Sequence, residues 1–173
     1  MSKFIRRLLL FSFIPLILSA CSAGDRPSAE GVEVFGELGR QPGRFSKPRA
    51  VLTTSSNELV VIDRTGRVQI FNLETLDFIR QWRLPDYEDG TPTGISLDPI
   101  DDSIWVADTH YHRILRYNVE GELLAEFGEQ GEDPGEFIFP TDVYPDPDGE
   151  TVWVTDYGRR NRVMQFTREG DFV

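Results

Sequence analysis

The chain contains two histidines, His110 and His112, and these residues most readily suggest metal chemistry. A catalytic zinc site usually has three protein ligands and an open position for water or substrate. Two imidazoles in one turn are too few, and no other histidine occurs to complete such a site. Gly-x-Ser-x-Gly, glycine-rich phosphate-loop and Cys-x-x-Cys patterns are also missing from the sequence. We therefore expect both histidines to be polar turn residues, and we predict no catalytic residue, no metal and no other cofactor.

Three aspartates recur in equivalent positions, each at the end of an apolar segment and ahead of a polar turn that closes with an arginine. A residue required in every copy is better explained by architecture than by catalysis, because catalysis needs only one site. We expect each carboxylate to accept N–H groups of its turn or to pair with the arginine that follows. The pairs are Asp63 with Arg67, Asp108 with Arg113 and Asp156 with Arg162.

Residues that differ between the repeated segments are better candidates for a specific binding site. They either follow a recurrent proline or lie in turns that we expect on one face of the fold. Such an aromatic and arginine-rich rim is typical of surfaces that bind a peptide, a glycan or another protein, while ordinary solvated loop is the alternative. The candidates are Arg49, Arg64, Thr93, His110, Tyr111, Asp142, Tyr157, Arg159 and Arg160.

The elements that must position these residues are repeated. FGELGRQPGRFSKP, at residues 35–48, returns as FGEQGEDPGEFIFP at residues 127–140, with eight of fourteen positions identical and an offset of 92 residues. Pro92 lies between the copies, 44 residues after Pro48 and 48 residues before Pro140. The offset is therefore two units of about 46 residues, which is typical of repeat architectures.

Apolar alternation with a period of two predicts four short strands in each unit. Four antiparallel strands at this period are typical of a β-propeller blade, and a β-sandwich is the alternative. No helical periodicity occurs after residue 25. The predicted strands are residues 50–54, 59–63, 67–72, 78–84, 94–98, 104–108, 113–118, 123–128, 142–146, 152–156 and 162–166.

The repeated units resemble the NHL repeat. The resemblance rests on the aspartate that closes the second strand, the polar turn and the following Arg-Ile/Val-x-x-Phe/Tyr, and on Gly-x-x-Gly-x-x-Pro-Gly-x-Phe-x-x-Pro before the inner strand. VADTHYHRILRYNVEGELLAEFG is the best copy, and His112-Arg113-Ile114 falls where the family often has a His-Arg/Leu pair. The resemblance implies an all-β propeller of four-stranded blades, a fold that serves binding scaffolds and enzymes alike.

The predicted blades are too few for a closed ring. GVEVFGELG, at residues 31–39, aligns with the outer strand of the second blade, so the order is one outer strand, two full blades and three strands of a third. Closed propellers have four to eight blades. The chain is therefore expected to be a fragment of a six-bladed ring, one of two chains that form such a ring as a homodimer, or an open arc.

The first residues carry a secretion signal. Lys3, Arg6 and Arg7 precede an apolar run at residues 8–18, which is too short for a membrane span. Leu-Ser-Ala-Cys, ending at Cys21, resembles the bacterial lipobox, in which the cysteine is acylated. We therefore expect a signal peptide at residues 1–20, a lipidated Cys21 in a flexible tether at residues 21–31, and a propeller at residues 32–173. Serine at position 22 resembles outer-membrane sorting in Gram-negative bacteria.

The chain is acidic, with a formal net charge of −11. Nucleic acid and anionic lipid surfaces are therefore excluded as expected partners on electrostatic grounds, apart from membrane attachment through the lipid. We hypothesise a lipid-anchored scaffold of the bacterial cell envelope that binds a protein, peptide or glycan and faces the periplasm or the exterior. The alternative is a propeller enzyme, a metal-dependent lyase or hydrolase whose catalytic residues lie mostly in blades absent from this chain.

Overall fold

The computed structural model describes residues 34–88 and 90–173, and every structural statement below refers to these residues. The predicted signal peptide, Cys21 and the tether lie outside them. The regular secondary structure of the described residues is β-structure, apart from one helical element, the short 3₁₀ turn Thr109–Tyr111. No helix in this part of the chain is long and apolar enough to span a membrane.

Eleven strands form three antiparallel sheets, with strand orders β1-β2-β3-β4, β5-β6-β7-β8 and β11-β10-β9. We name these sheets blade 1, blade 2 and blade 3. The predicted all-β, blade-like fold is thus confirmed. The strands are β1 Pro48–Thr53, β2 Glu58–Asp63, β3 Arg67–Asn72, β4 Phe78–Arg83, β5 Gly94–Leu97, β6 Ile104–Asp108, β7 Arg113–Tyr117, β8 Leu123–Phe127, β9 Phe139–Pro145, β10 Thr151–Tyr157 and β11 Arg162–Thr167.

Strand boundaries agree with the prediction to within two residues, except at β9, which begins three residues early, at Phe139. The reason is a bulge in its pairing with β10, which lets Phe139 and Pro140 pair with Tyr157 and Asp156. A bulge adds one residue to one strand without ending the ladder, so the period-two pattern breaks although the strand continues.

The register places two sets of loops at the same end of each blade. In blade 1, Pro48 at the start of β1 pairs with Asp63 at the end of β2, and Arg67 at the start of β3 pairs with Arg83 at the end of β4. The β2–β3 turn therefore lies beside the loop that approaches β1. We call this end of the blades the loop face. The approach loops are residues 36–47, 84–93 and 128–138 for blades 1, 2 and 3.

Apolar side chains from facing blades form two core layers. Val60, Ile70 and Trp82 of blade 1 pack against Val106 and Leu115 of blade 2. A second layer, between blades 2 and 3, is built from Trp105, Ala107, Ile114, Phe137, Val143, Val152, Val154, Met164 and Phe166. Each fully buried large apolar side chain contributes about 1.5–3 kcal/mol relative to an exposed one, so blade stacking dominates the stability.

Two tryptophans at equivalent positions mark the difference between an inner and an outer blade surface. Trp105 is fully buried between blades 2 and 3, and its Nε1 donates to Asp98 Oδ2 at 3.0 Å. Trp153 makes the same bond to Asp146 Oδ2 at 2.9 Å but is 39% exposed. The surface of blade 3 that faces away from blade 2 thus leaves a large apolar side chain partly in solvent.

The predicted outer strand at residues 31–39 is wrong over the part that the structure describes. Residues 35–37 form no strand, and Leu38 makes one isolated bridge to Phe45. Instead of pairing with a neighbouring strand, Phe35 packs its ring against Phe45 and Phe71, at centroid distances of 5.6 and 5.3 Å. Aromatic packing therefore holds this segment beside blade 1 in the described structure.

Candidate ligand-binding site

The recurrent arginine of blade 1 organises the approach loop above it. Arg67 is 1% exposed, and its Nη2 lies 2.5 Å from Asp63 Oδ2. The same guanidinium donates to the Arg40 and Arg44 carbonyl oxygens, at 2.6 and 2.9 Å. The predicted Asp–Arg pairing is present, and it also satisfies the carbonyl groups of a loop with no regular partner of its own.

Blade 3 repeats this arrangement. Arg162 Nε donates to Asp156 Oδ2 at 3.1 Å, and its Nη groups donate to the Glu132 and Glu136 carbonyl oxygens at 2.6 and 2.8 Å. Asp156 Oδ1 in turn accepts the backbone N–H of Ile138 at 2.9 Å. The repeated FG-x-x-G-x-x-PG-x-F sequence therefore encodes a loop that wraps around one buried arginine.

Blade 2 departs from this arrangement because its approach loop is different. The recurrent proline follows Phe127 by 13 residues but follows the equivalent Trp82 by 10, and the glycine pattern is missing. Without wrapping carbonyl groups, Arg113 pairs with Asp108 at 2.9 Å and with the carboxylates of Glu126 and Asp86. Asp108 Oδ1 and Arg113 Nη2 are buried without a hydrogen-bond partner among the described residues.

The two loop types give equivalent aspartates different pKa values. Burial raises the pKa of Asp63, but hydrogen bonds from Arg67, Thr65 and the Ser46 amide outweigh it and hold the pKa below the ordinary 3.8. Burial also raises the pKa of Asp108, and Arg113 offsets too little of this effect, so the pKa is about 6. For Asp108 burial is the main cause of the raised pKa; the carboxylates of Asp86 and Glu126 raise it further, and no hydroxyl or backbone donor of the described residues, like those of Asp63, lowers it.

We predict that Asp108→Asn gains stability relative to the unchanged protein as the pH rises from about 4 to about 7. The pKa of folded Asp108, about 6, exceeds the ordinary 3.8, so the folded state binds this proton more tightly than the unfolded chain. The carboxyl therefore costs stability progressively as the pH rises through this interval, by at most about 3 kcal/mol. Urea unfolding of both proteins across the interval measures this difference.

Asp63→Asn is the control, because the pKa of Asp63 is lowered and its contribution is already present above the ordinary value. This variant is expected to be less stable than the unchanged protein at both ends of the interval. A constant stability difference for Asp108→Asn between these pH values would contradict the assignment.

A pocket of about 870 Å³ opens on the loop face beside the approach loop of blade 2. That loop supplies Tyr87, Glu88, Gly90 and Thr91 to its wall. Three of the predicted binding residues, Arg49, Arg64 and His110, line the pocket together. Its other lining residues, which we did not predict, are Arg40, Ser46, Lys47, Thr65 and Arg83.

The two histidines do not converge on one site. His110 Nδ1 lies 3.2 Å from both the N and the O atoms of Thr91, in the approach loop of blade 2. His112 Nδ1 lies 2.6 Å from the carbonyl oxygen of Ile138, in the approach loop of blade 3. The described residues contain no group of three or more His, Cys, Asp or Glu side chains placed to hold a metal ion. The residues present therefore do not fit the zinc site that a lyase would need.

The other predicted binding residues lie outside the pocket. Thr93 Oγ1 contacts Thr109 Oγ1 and donates to the Thr141 carbonyl oxygen, so it ties blade 2 to blade 3. Asp142 is exposed and accepts the Val143 N–H. The Tyr111 ring lies under the Arg113 guanidinium, 5.1 Å from its centroid.

A separate group of predicted residues belongs to the β10–β11 turn of blade 3. Tyr157 is exposed there and packs its ring near Phe139. Arg159 and Arg160 both approach the carboxylate of Glu132, each at 3.7 Å. The rim predicted from the sequence is therefore divided between a pocket beside blade 2 and a turn on blade 3.

Two sequence signals could have located the pocket. The shorter spacing before Pro92 marks the one approach loop that does not wrap its arginine. Arg40, Lys47, Arg49 and Arg64 are also close in sequence around the start of β1 and its neighbouring turn. Arg83 and Tyr87 had no such signal, because they come from β4 and the following loop.

Known proteins are similar to this chain in sequence and in fold. No protein-family model matches it. Peptidylglycine alpha-amidating monooxygenase of Rattus norvegicus is 34% identical over 160 residues, and the match covers 76% of this chain and 16% of that protein. The Mus musculus protein is 33% identical over 179 residues, covering 87% of this chain and 18% of that protein.

Among solved structures, virginiamycin B lyase from Staphylococcus aureus superposes with a TM-score of 0.58 at 20% sequence identity, which covers 73% of this chain and 40% of that chain. The chain thus spans less than a fifth of the amidating monooxygenases and less than half of the lyase. Together with the repeated blade sequence and the antiparallel sheets, these similarities show that the chain is a β-propeller protein of the NHL-repeat type.

Proposed function

We propose that this propeller is a ligand-binding scaffold of the bacterial cell envelope and that the loop-face pocket is its binding site. The observation that carries the proposal is the pocket of about 870 Å³, which brings together Arg49 from β1, Arg64 from the β2–β3 turn and His110 from the 3₁₀ turn. Ligand sites commonly occupy concave spaces of about 300–1,000 Å³ with a few convergent polar groups. The proposed ligand is a protein segment, a peptide or a glycan rather than nucleic acid.

The site is suited to binding because variation there does not disturb the blade frame. Arg49 and Arg64 are exposed, and neither contributes to the two core layers. Arg67, the buried arginine that holds the approach loop of blade 1, is not among the lining residues. The frame and the recognition surface thus use separate side chains.

The proposed location follows from the sequence. The charged and apolar start of the chain and the Leu-Ser-Ala-Cys quartet support lipid attachment at Cys21, with the propeller facing the periplasm or the exterior. Acyl chains give stable anchoring of an otherwise water-exposed domain when more than one is present. Metabolic labelling with an alkyne fatty acid, compared between the unchanged protein and Cys21→Ala, tests this attachment, and equal labelling of both proteins contradicts it.

The binding proposal is tested by filling the pocket without changing its charge. Ser46 lines the pocket and forms hydrogen bonds with described residues through its backbone groups only, so Ser46→Trp places an indole in the space. Ser56→Trp is the matched control, because Ser56 is exposed in the β1–β2 turn at the opposite end of blade 1. Peptide and glycan arrays probed with the unchanged protein supply the ligands for titration.

We expect affinity for array ligands to fall by about tenfold or more in Ser46→Trp and to stay within about twofold in Ser56→Trp. An array with no specific ligand, or a ligand whose binding is unaffected by Ser46→Trp, would show that the pocket is not the binding site of this scaffold.

The alternative function is a propeller lyase, and the observation that favours it is the similarity to an amidating monooxygenase and a virginiamycin B lyase. The described histidines form no metal site, so catalytic residues would come from blades absent from this chain. Metal analysis of the purified protein, together with assays on a peptidylglycine substrate and on virginiamycin B, distinguishes the two functions. Zinc or calcium at unit stoichiometry with turnover would replace the scaffold proposal.

A further inference from the structure

Among the described residues, the loop-face pocket gathers the cations that form no ion pair. Residues 34–88 and 90–173 contain fourteen lysine and arginine side chains, and nine of these form ion pairs. The other five make no ion pair within the described residues, and all five line the same pocket. They are Arg40, Lys47, Arg49, Arg64 and Arg83.

This grouping runs against the charge of the whole chain. Acidic residues outnumber basic ones by eleven, so carboxylates are plentiful as partners elsewhere on the surface. Glu88 is the one carboxylate among the lining residues, and it forms no ion pair with a described residue. Even with Glu88 and its sequence neighbour Asp89 counted against the five cations, positive charge exceeds negative by three. Like charges held together repel each other, and an anionic ligand would relieve this repulsion.

The lining groups also have the geometry to hold an oxyanion. A guanidinium presents its donors as a planar fork that matches two oxygens of a carboxylate or phosphate. The Arg83 guanidinium lies over the Tyr87 ring, 4.5 Å from its centroid. This contact restricts the orientation of the guanidinium in the unliganded protein. The hydroxyls of Ser46 and Thr91 line the same space and can donate to further oxygens.

We propose that the loop-face pocket binds a compact ligand carrying two or more oxyanionic groups. This inference rests on the proposed function and names the chemistry that the scaffold recognises. Five cations distributed around one space exceed what a single carboxylate can pair with, which selects a multiply charged group. The volume of about 870 Å³ accommodates a small polyanion or the acidic end of a longer molecule.

The net charge of −11 limits the size of the anion. An extended polyanion would reach beyond the pocket and meet the negative field of the remaining surface, whereas a compact one stays within the cationic region. Carboxylates and phosphates accept hydrogen bonds from the same donors, so a ligand of either kind is compatible with the proposal.

Citrate and pyrophosphate are suitable probes, because one carries only carboxylates and the other only phosphates. We expect saturable one-to-one binding of at least one probe to the full chain by calorimetry, at low salt, with a Kd below about 1 mM. Arg64→Gln is expected to weaken this binding by about tenfold or more. Arg64 is exposed in the β2–β3 turn, so the substitution leaves the fold intact.

Arg44→Gln is the matched control, because it removes the same charge from the approach loop of blade 1 but lies outside the pocket lining. Its affinity for the probes should stay within about twofold of the unchanged protein. A thermal unfolding scan provides a second measurement, since the bound probe should raise the Tm of Arg44→Gln more than that of Arg64→Gln.

Preference for citrate or for pyrophosphate would identify the source of the oxyanions, and either preference supports the proposal. Absence of saturable binding for both probes, or an equal loss of affinity in Arg64→Gln and Arg44→Gln, would overturn it. The two proposals fail separately: array ligands lost in Ser46→Trp but unaffected by Arg64→Gln would keep the pocket as the binding site of the scaffold and overturn only the anion proposal.

Discussion

Replacing Arg67 with methionine is expected to lower the free energy of unfolding by about 3–5 kcal/mol. The change leaves the Asp63 carboxylate, which is fully buried, without its guanidinium partner. It also removes the donors to the carbonyl oxygens of Gly39, Arg40, Gln41 and Arg44. Methionine retains most of the side-chain volume, so the loss reports the polar contacts rather than a cavity. Urea unfolding followed by tryptophan fluorescence measures it.

Arg44→Met is the control for this prediction, because it makes the same substitution in the loop that Arg67 holds. Arg44 is 48% exposed and pairs with Glu37, which is 71% exposed. Exposed ion pairs contribute about 0–1 kcal/mol, so this variant should remain close to the unchanged protein. A similar small loss in Arg67→Met would show that the buried arginine does not hold the approach loop.

The second large effect is expected at Trp105, where alanine should cost about 3–5 kcal/mol. Its indole is fully buried between blades 2 and 3, and the substitution opens a cavity in that layer. It also removes the donor to Asp98, although Asp98 keeps its ion pair with Arg168 at 2.6 Å. The free energy of unfolding from urea denaturation gives the result directly.

Trp153→Ala is the matched control, because Trp153 has the same position and the same aspartate bond in blade 3 but is 39% exposed. We expect a loss of about 1 kcal/mol, since part of the indole already lies in solvent. Equal losses at the two tryptophans would mean that another blade, or a second copy of the chain, covers this surface in solution.

The sequence predicted the blades well because their signals are local and repeated. In β10 buried side chains alternate with more exposed ones, so burial follows a period of two, whereas β2 and β3 are buried along most of their length. The Asp63–Arg67 pair could be anticipated because its partners are four residues apart and recur in each unit. The extent of β9 could not, since a bulge leaves no mark on hydrophobic alternation.

The candidate site was predicted only in part because it depends on contacts between distant segments. Arg49 was found from its place after a recurrent proline, Arg64 and His110 from their place in recurrent turns, and the three do meet in one pocket. Arg159 and Arg160 satisfied the same rule, but they belong to blade 3 and approach Glu132 instead. Whether an arginine is paired depends on which carboxylate the fold brings near it, and sequence spacing does not contain that information.

The approach loop of blade 2 differs from the other two although the sheet beneath it has the same strand order as blade 1. Arg113 compensates for the missing loop carbonyl groups by taking the side chains of Asp86 and Glu126. The strands beneath it keep the same hydrogen-bonded order as those of blade 1. A loop of different length and composition can therefore be tolerated at this position while the sheets persist. The binding specificity of such blades can therefore diversify by loop replacement alone, while the strand framework stays constant.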